Sequence, residues 1–326
     1  MKLPHRRQFL NLAAGTAALP AVPRIAWAQI YPTRPVRIIV GSAPGGAQDI
    51  AARLIGPWLS ERLGRQFIVE NRTGGGINGA TEAVVKARPD GYTLLLVGTV
   101  NTINATLYER PNFVFVRDIA PVASMVGVPL VMMVHPSLPV HSGPEFITYA
   151  KTNPGKISFG SSVNGSPLQM AGEMFKIMAG VDMVIVPYRG TGPMLIDLLS
   201  GQLQVTIADL PGSVPYIRSG SLRALAVTTA ERLPELPGIP SLGEFVPGFE
   251  AMAWQGVGAP RNTPADVIST LNQAINAGLA SPVVKARLAD LGMRVLSGSP
   301  GDFGKLIANE TEKWGKVIRA ANLKAE

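Results

Sequence analysis

Short apolar runs and helix-period patterns alternate along this chain in two separate sets, with a long extended stretch at each join. Val36–Val40 is a β-branched run, followed by the turn Gly41–Gly46 and a helical pattern from Ala47 to Leu63. Within that pattern Ile50, Leu54, Ile55, Trp58 and Leu59 recur at one-faced helical spacing. Strand patterns at Gln66–Glu70 and Tyr92–Val97 flank a helix from about Asn78 to Ala87. The second set has strands at Ile157–Gly160, Met183–Pro187, Gln204–Ala208 and Leu222–Thr228, and helices at Ser166–Ala179 and Gly192–Gly201. Such alternation predicts βαβ units, a mostly parallel sheet and an α/β fold.

Pro129–Val134 and Ala251–Gly258 are extended and apolar, and they bracket the second set. Beyond them, Thr263-Pro264-Ala265-Asp266 starts a helix with a cap and an early proline that runs to about Leu279. The chain is therefore expected to leave a first lobe near residue 129 and return near 253. Residues 29–128 plus 253–326 would form lobe I and 129–252 lobe II, with the two crossover strands as hinge. The proline-rich stretch Leu233–Pro247 reads as a surface connection.

The amino-terminal segment reads as an export signal. Arg6-Arg7-Gln8-Phe9-Leu10 is a twin-arginine pattern, Leu12–Val22 is small and apolar, and Ala26-Trp27-Ala28 is a cleavage site. The mature chain would begin at Gln29 in the periplasm. The apolar run is well short of the ~20 residues a membrane span needs. Removing residues 1–28 takes Lys2, Arg6, Arg7 and Arg24 from the 30 basic residues and nothing from the 22 acidic ones. The remaining 26 against 22 gives a net charge of +4, with no basic block of the kind nucleic acid requires.

Cysteine is absent, which excludes a thiolate nucleophile, a disulfide and a Cys-type metal site. His135 and His141 are the mature histidines, and their spacing around Pro136 and Pro139 does not suit a metal pair. No metal or cofactor is expected. No Gly-x-Ser-x-Gly elbow and no Walker loop is present. Asp49, Asp197 and Asp209 are the set an acid–base enzyme would use, but dipole and surface roles explain Asp49 and Asp197 as well. Trp58, Trp254 and Trp314 read as core.

Four helix starts remain. Pro44-Gly45-Gly46-Ala47-Gln48-Asp49 and Asn71-Arg72-Thr73-Gly74-Gly75-Gly76 belong to the first set. Ser161-Ser162-Val163-Asn164-Gly165-Ser166 and Tyr188-Arg189-Gly190-Thr191-Gly192 belong to the second. Glycine lets the backbone approach a ligand, and a helix amino terminus offers unpaired N–H groups with partial positive charge. Two such turns in each lobe predict a cleft that holds an anion.

These residues also resemble a known family. The chain is similar to the extracytoplasmic solute receptors of tripartite tricarboxylate transporters, the Bug-type receptors, from Tyr31 to Asn322. The likeness rests on Tyr31-Pro32-Thr33-Arg34-Pro35-Val36-Arg37 and Pro44-Gly45-Gly46-x-x-Asp49-x-x-Ala52-Arg53. Further stretches are Val69-Glu70-Asn71-Arg72, Lys86-Ala87-Arg88-Pro89-Asp90-Gly91-Tyr92-Thr93-Leu94 and Val186-Pro187-Tyr188-Arg189-Gly190. Leu222–Thr228 and Trp254-x-Gly256 complete them.

The resemblance implies a two-lobed type II periplasmic-binding-protein fold, no catalysis, a small carboxylate ligand and membrane permease subunits as partners. A monomer is expected. The ligand set expected in lobe I is Ser42, Ala43, Gly45, Gly46, Ala47, Gln48, Asp49 and Thr99. In lobe II it is Ser161, Ser162, Asn164, Gly165, Gln169, Tyr188, Thr191 and Asp209. Against the family pattern, Ser42 or Ala43 replaces a bulky aromatic, Gln48 a threonine, Gln169 a histidine, and Ala208-Asp209 an Asp-Asn pair. Asp209 would then favour a ligand with an amine or hydroxyl and disfavour a second carboxylate. A ligand-sensing accessory to a membrane signalling protein fits the same sequence, and an enzyme using the aspartates is the rival of another class.

Overall fold

The computed structural model describes residues 31–74, 77–108 and 112–325. The segment expected to be an export signal lies outside the described residues, as do Gly75 and Gly76. The first lobe is built on β1 (Val36–Val40), β2 (Phe67–Asn71) and β3 (Thr93–Gly98), with β2 and β3 parallel to β1 on either side. Its helices include α1 (Ala47–Leu63), α2 (Asn78–Val85) and α3 (Thr99–Leu107); the single turn α4 (Phe115–Asp118) follows. The side chains explain the layering. Ile38 and Val40, with Leu94 and Leu96, pack into one buried cluster, while Ile39, Leu95 and Val97 pack into another on the opposite face. Successive strand residues point to opposite faces, so a continuous apolar run serves a sheet covered on both sides.

β4 (Ile119–Val134) then runs from one lobe into the other. It pairs antiparallel with β9 (Met252–Pro260) from Ile119 to Pro129, and with β7 (Val205–Asp209) from Leu130 to Val134. The strand begins ten residues earlier than the extended stretch Pro129–Val134 read from the sequence, although proline is normally kept out of strand interiors. Pro121 instead borders a register shift, and Pro129 sits where the strand exchanges partners, positions that spare a missing N–H.

The second lobe carries α5 (Gly143–Thr152), β5 (Ser158–Ser161), α6 (Pro167–Ala179), β6 (Val184–Pro187), α7 (Thr191–Leu199), β7, α8 (Leu210–Arg218) and β8 (Arg223–Val227). β5 lies parallel to β6 and β7, and β8 pairs antiparallel with β4. Ser166 caps α6 by accepting from the Gln169 N–H, Pro167 opens the helix, and Gly180 closes it at φ +62°. The stretch Leu233–Pro247 is more than a surface connection. It buries Leu233, Leu236, Leu242 and Val246 in the second lobe's core.

β9 returns the chain to the first lobe beside β3. The helices α9 (Ala265–Ala280), α10 (Pro282–Asp290) and α11 (Pro300–Ala320) follow, with the short strand β10 (Arg294–Val295) before the last. The main path of the ten-stranded sheet is β2-β1-β3-β9-β4-β7-β5-β6, and β8 and β10 each pair with β4 off that path. Trp314, Val317 and Ile318 near the end of α11 belong to the second lobe's core cluster, whereas Phe303 and Ile307 near its start belong to the first lobe's. Glu310, midway, accepts from two buried indoles: Trp254 Nε1 at 3.3 Å and Trp314 Nε1 at 2.8 Å. The two lobes are thus joined by β4 and β9 and overlaid by one helix.

Candidate ligand cleft

The turn after β1 is held from beneath by one carboxylate. Asp49 accepts from the Gly45 N–H at 2.9 Å, from Asn71 Nδ2 at 2.9 Å and from Arg53 Nε at 2.9–3.0 Å. Asn71 also donates to the Ser42 carbonyl at 3.0 Å. The Arg53 guanidinium, helped by these N–H donors, holds the Asp49 carboxyl at about 2. Asp49 therefore braces the turn and has no oxygen free of these bonds. Gly45 takes φ +83°, which glycine adopts without strain. Gly46 stands before α1 without a side-chain cap, and a Cβ there would lie 3.2 Å from both the Ala43 carbonyl and Ser42 Oγ. Ala43 and Ala47 are exposed on either side. The first N–H groups of α1 thus have no cap from the chain itself.

Beside this turn, β3 ends at Gly98. Thr99 is buried, and its hydroxyl accepts from the Trp254 N–H at 2.9 Å, which ties the start of α3 to the returning strand. A Cβ on Gly98 would lie 2.9 Å from Gln48 Nε2, 3.1 Å from the Trp254 carbonyl and 3.7 Å from Gln255 Cγ. Three buried side-chain oxygens lack a hydrogen-bond partner among the described residues: Ser42 Oγ, Gln48 Oε1 and Gln255 Oε1. Buried polar atoms are normally satisfied, so these three mark the place to explain. Gln255 did not emerge from the sequence, where it is the unspecified residue of Trp254-x-Gly256. The available signal was a lone amide in the otherwise apolar run Met252–Pro260.

In the second lobe the turns are also braced. The Gly165 N–H donates to Gln169 Oε1 at 2.7 Å, and Gly165 has φ +75°. Ser161 Oγ donates to the Ser162 carbonyl at 3.2 Å, and the Ser161 carbonyl accepts from the Tyr188 N–H at 2.8 Å, joining the two turns. Asn164 Nδ2 donates to the Lys324 carbonyl at 3.0 Å. The Tyr188 hydroxyl donates to Asp197 Oδ2 at 2.6 Å, and burial together with that carboxylate pushes the phenol up to about 12. α7 begins at Thr191 after Gly190 at φ +113°, with no side-chain cap. Asp209 ends β7 opposite Leu130, where β4 changes lobe. Its carboxylate has no partner among the described residues, and burial pushes it up to about 6.

The strand ends of the two lobes therefore face the crossover from both sides. On one flank the lobes touch: a Cβ on Gly165 would lie 2.7 Å from Leu107 Cδ2 of α3. No group of three or more metal-ligating side chains occurs among the described residues. The arrangement offers backbone N–H groups, amides and hydroxyls rather than a nucleophile with its base.

The chain is similar to known proteins along most of its length. The profile of the "Tripartite tricarboxylate transporter family receptor" matches residues 51–323. Protein BugT of Bordetella pertussis is 34% identical over 300 residues, covering 91% of this chain and 92% of its own. An uncharacterised-family protein from the tcbD-tcbE intergenic region of Pseudomonas sp. strain P51 is 36% identical over 298 residues, covering 90% and 88%. Among solved structures, R. palustris Rpa4515 with adipate superposes with a TM-score of 0.77 at 38% identity, covering 90% of this chain and 99% of that one. MatC of Rhodopseudomonas palustris with bound malate gives 0.74 at 30% identity, covering 88% and 100%. The match along nearly the whole chain, with the two-lobed fold, establishes that this protein belongs to the tripartite tricarboxylate transporter receptor family.

Proposed function

We propose that this chain is a periplasmic receptor that captures one small carboxylate between its lobes and presents it to membrane permease subunits. The observation that carries this reading is the uncapped helix starts of α1 and α7, one in each lobe, following glycine turns at strand ends. Such starts hold an anion by N–H groups and dipole without a metal. Relatives with bound adipate and malate support the same ligand class. Residues 29–128 plus 253–326 act as one lobe and 129–252 as the other, with the end of α11 riding on the second lobe's core. The protein works as a monomer, without catalysis, after export and cleavage following Ala28.

A thermal-shift comparison of carboxylates with their matched amides and amines tests the anion cleft. At a ligand concentration near 100 times Kd, a cognate acid should stabilise the protein by about 2.7 kcal/mol. Equal shifts by acids and amides would overturn the reading.

A further inference from the structure

We propose that Gln48, Gln255 and Ser42 form a specificity pocket that takes an uncharged hydrogen-bonding group of the ligand, a hydroxyl or a carboxamide, and rejects a second carboxylate there. This rests on the receptor reading above and names the class of acid it receives.

The two glutamines come from distant parts of the chain, one on the first turn of α1 and one on the returning strand β9. Both are more than nine-tenths buried, at 8% and 5% exposure. Each keeps an unpartnered buried oxygen, and so does Ser42. Gly98 stands between them: its bare backbone leaves room for the Gln48 amide, whose Nε2 would lie 2.9 Å from a Cβ there, and Gln255 Cγ lies 3.7 Å from the same point. Two unmet polar atoms at the turn before α1 and its first helical turn, and a third on the strand beside Gly98, are costly unless a partner arrives from outside the chain. They are what a receptor keeps ready for its ligand.

The chemistry of the pocket selects that partner. A carboxamide side chain offers an acceptor and two donors, and a half-turn exchanges its ends. A hydroxyl or a second carboxamide can donate and accept, so it satisfies the pair in either orientation. A carboxylate only accepts, so it can meet the amide nitrogens and leaves the oxygens unmet. No charge is on hand to compensate it. Arg53, the cation of this turn, is committed to Asp49 and Asn71. Across the crossover, the unpaired Asp209 carboxylate adds repulsion. The cation of the second lobe's turn is Arg189, which is exposed. Rejection through unmet acceptors and like charge is discrimination by design against the wrong ligand.

Calorimetric titration of the mature protein with butanoate, γ-hydroxybutanoate, succinamate and succinate tests this. The hydroxy acid and the half-amide should bind at least about tenfold more tightly than succinate and butanoate, the scale of one added hydrogen bond. Gln48→Met and Gln255→Met should each erase most of that preference. Gln255→Glu, which keeps the size and adds a charge, should abolish binding of every acid, with circular dichroism melts confirming that the variants fold. If succinate binds most tightly and both Met variants keep that ranking, the pocket is wrong and the receptor reading stands. Loss of succinate binding in Arg189→Gln would then place the second carboxylate on Arg189. If no acid in a broad panel binds the native protein, the receptor reading falls and takes the pocket with it.

Discussion

Asp49 and Asp209 sit at the ends of strand–helix turns in opposite lobes, and their surroundings drive them in opposite directions. Asp49 is held at about 2, below its ordinary 3.8. Its ionised form therefore stabilises the fold above that ordinary value, and the contribution is lost as pH falls toward 2. Asp209 is raised from 3.8 to about 6. The folded protein keeps its proton where the unfolded chain has lost it, so stability declines as pH rises from about 4 through 6. Asp209→Asn should raise the urea midpoint at pH 7, because the amide carries no charge to be desolvated. Near pH 3.8 and below it should change little. An unchanged midpoint at pH 7 would mean that water reaches the carboxylate freely. Both aspartates were visible in the sequence as residues near turns. Their difference was not, because the partners of Asp49 are Arg53, four residues on, and Asn71, on another strand. Gln255 stayed unread for the same reason: only the fold brings it to Gln48.

At the level of elements, the strands and helices with a clear period were legible, and the exceptions have local causes. α3 follows β3 without a turn signal, and Thr99-Val100-Asn101-Thr102 is a poor helix-forming stretch. A local cap and a tertiary bond hold it instead: Asn101 accepts from the Gly98 N–H at 2.8 Å and donates to Thr81 Oγ1 at 2.9 Å. β4 extends well before the stretch read from the sequence, and the fold tolerates its prolines at a register shift and a change of partner. The crossover pair β4–β9 also depends on one close approach. A Cβ on Gly256 would come 2.5 Å from the Ala123 carbonyl and 2.4 Å from Phe303 Cζ. Because one of those atoms is backbone, Gly256→Ala must part the two crossover strands. It should cost about 1–3 kcal/mol, as other overpacked sites do, read as a lower urea midpoint; a native midpoint would show that the strands separate at no cost.

The whole molecule was foreshadowed by the two sets of alternating patterns and the extended stretches between them, because each lobe repeats the same grammar of strand, turn and helix. The path of the last helix was not foreshadowed. Trp314 read as core, but nothing in the sequence says that one end of this helix joins the first lobe's core and the other the second's. That path gives the molecule an optical consequence. Trp254 lies on the returning crossover strand and Trp314 in the second lobe's core, and a single oxygen of Glu310 receives both indole N–H groups. Lys313 Nζ stands 4.4 Å from the centre of the Trp314 ring. Indole emission is sensitive to such nearby charges, so any rotation of one lobe against the other that strains this shared oxygen changes the light the protein emits. Addition of a saturating acid should shift or quench the intrinsic fluorescence, and Trp254→Phe should remove most of the change. Steady emission on proven saturation would mean that the lobes close without disturbing the indoles. If the change appears, the protein carries its own ligand-responsive fluorophore, and its binding curve can be followed without a label.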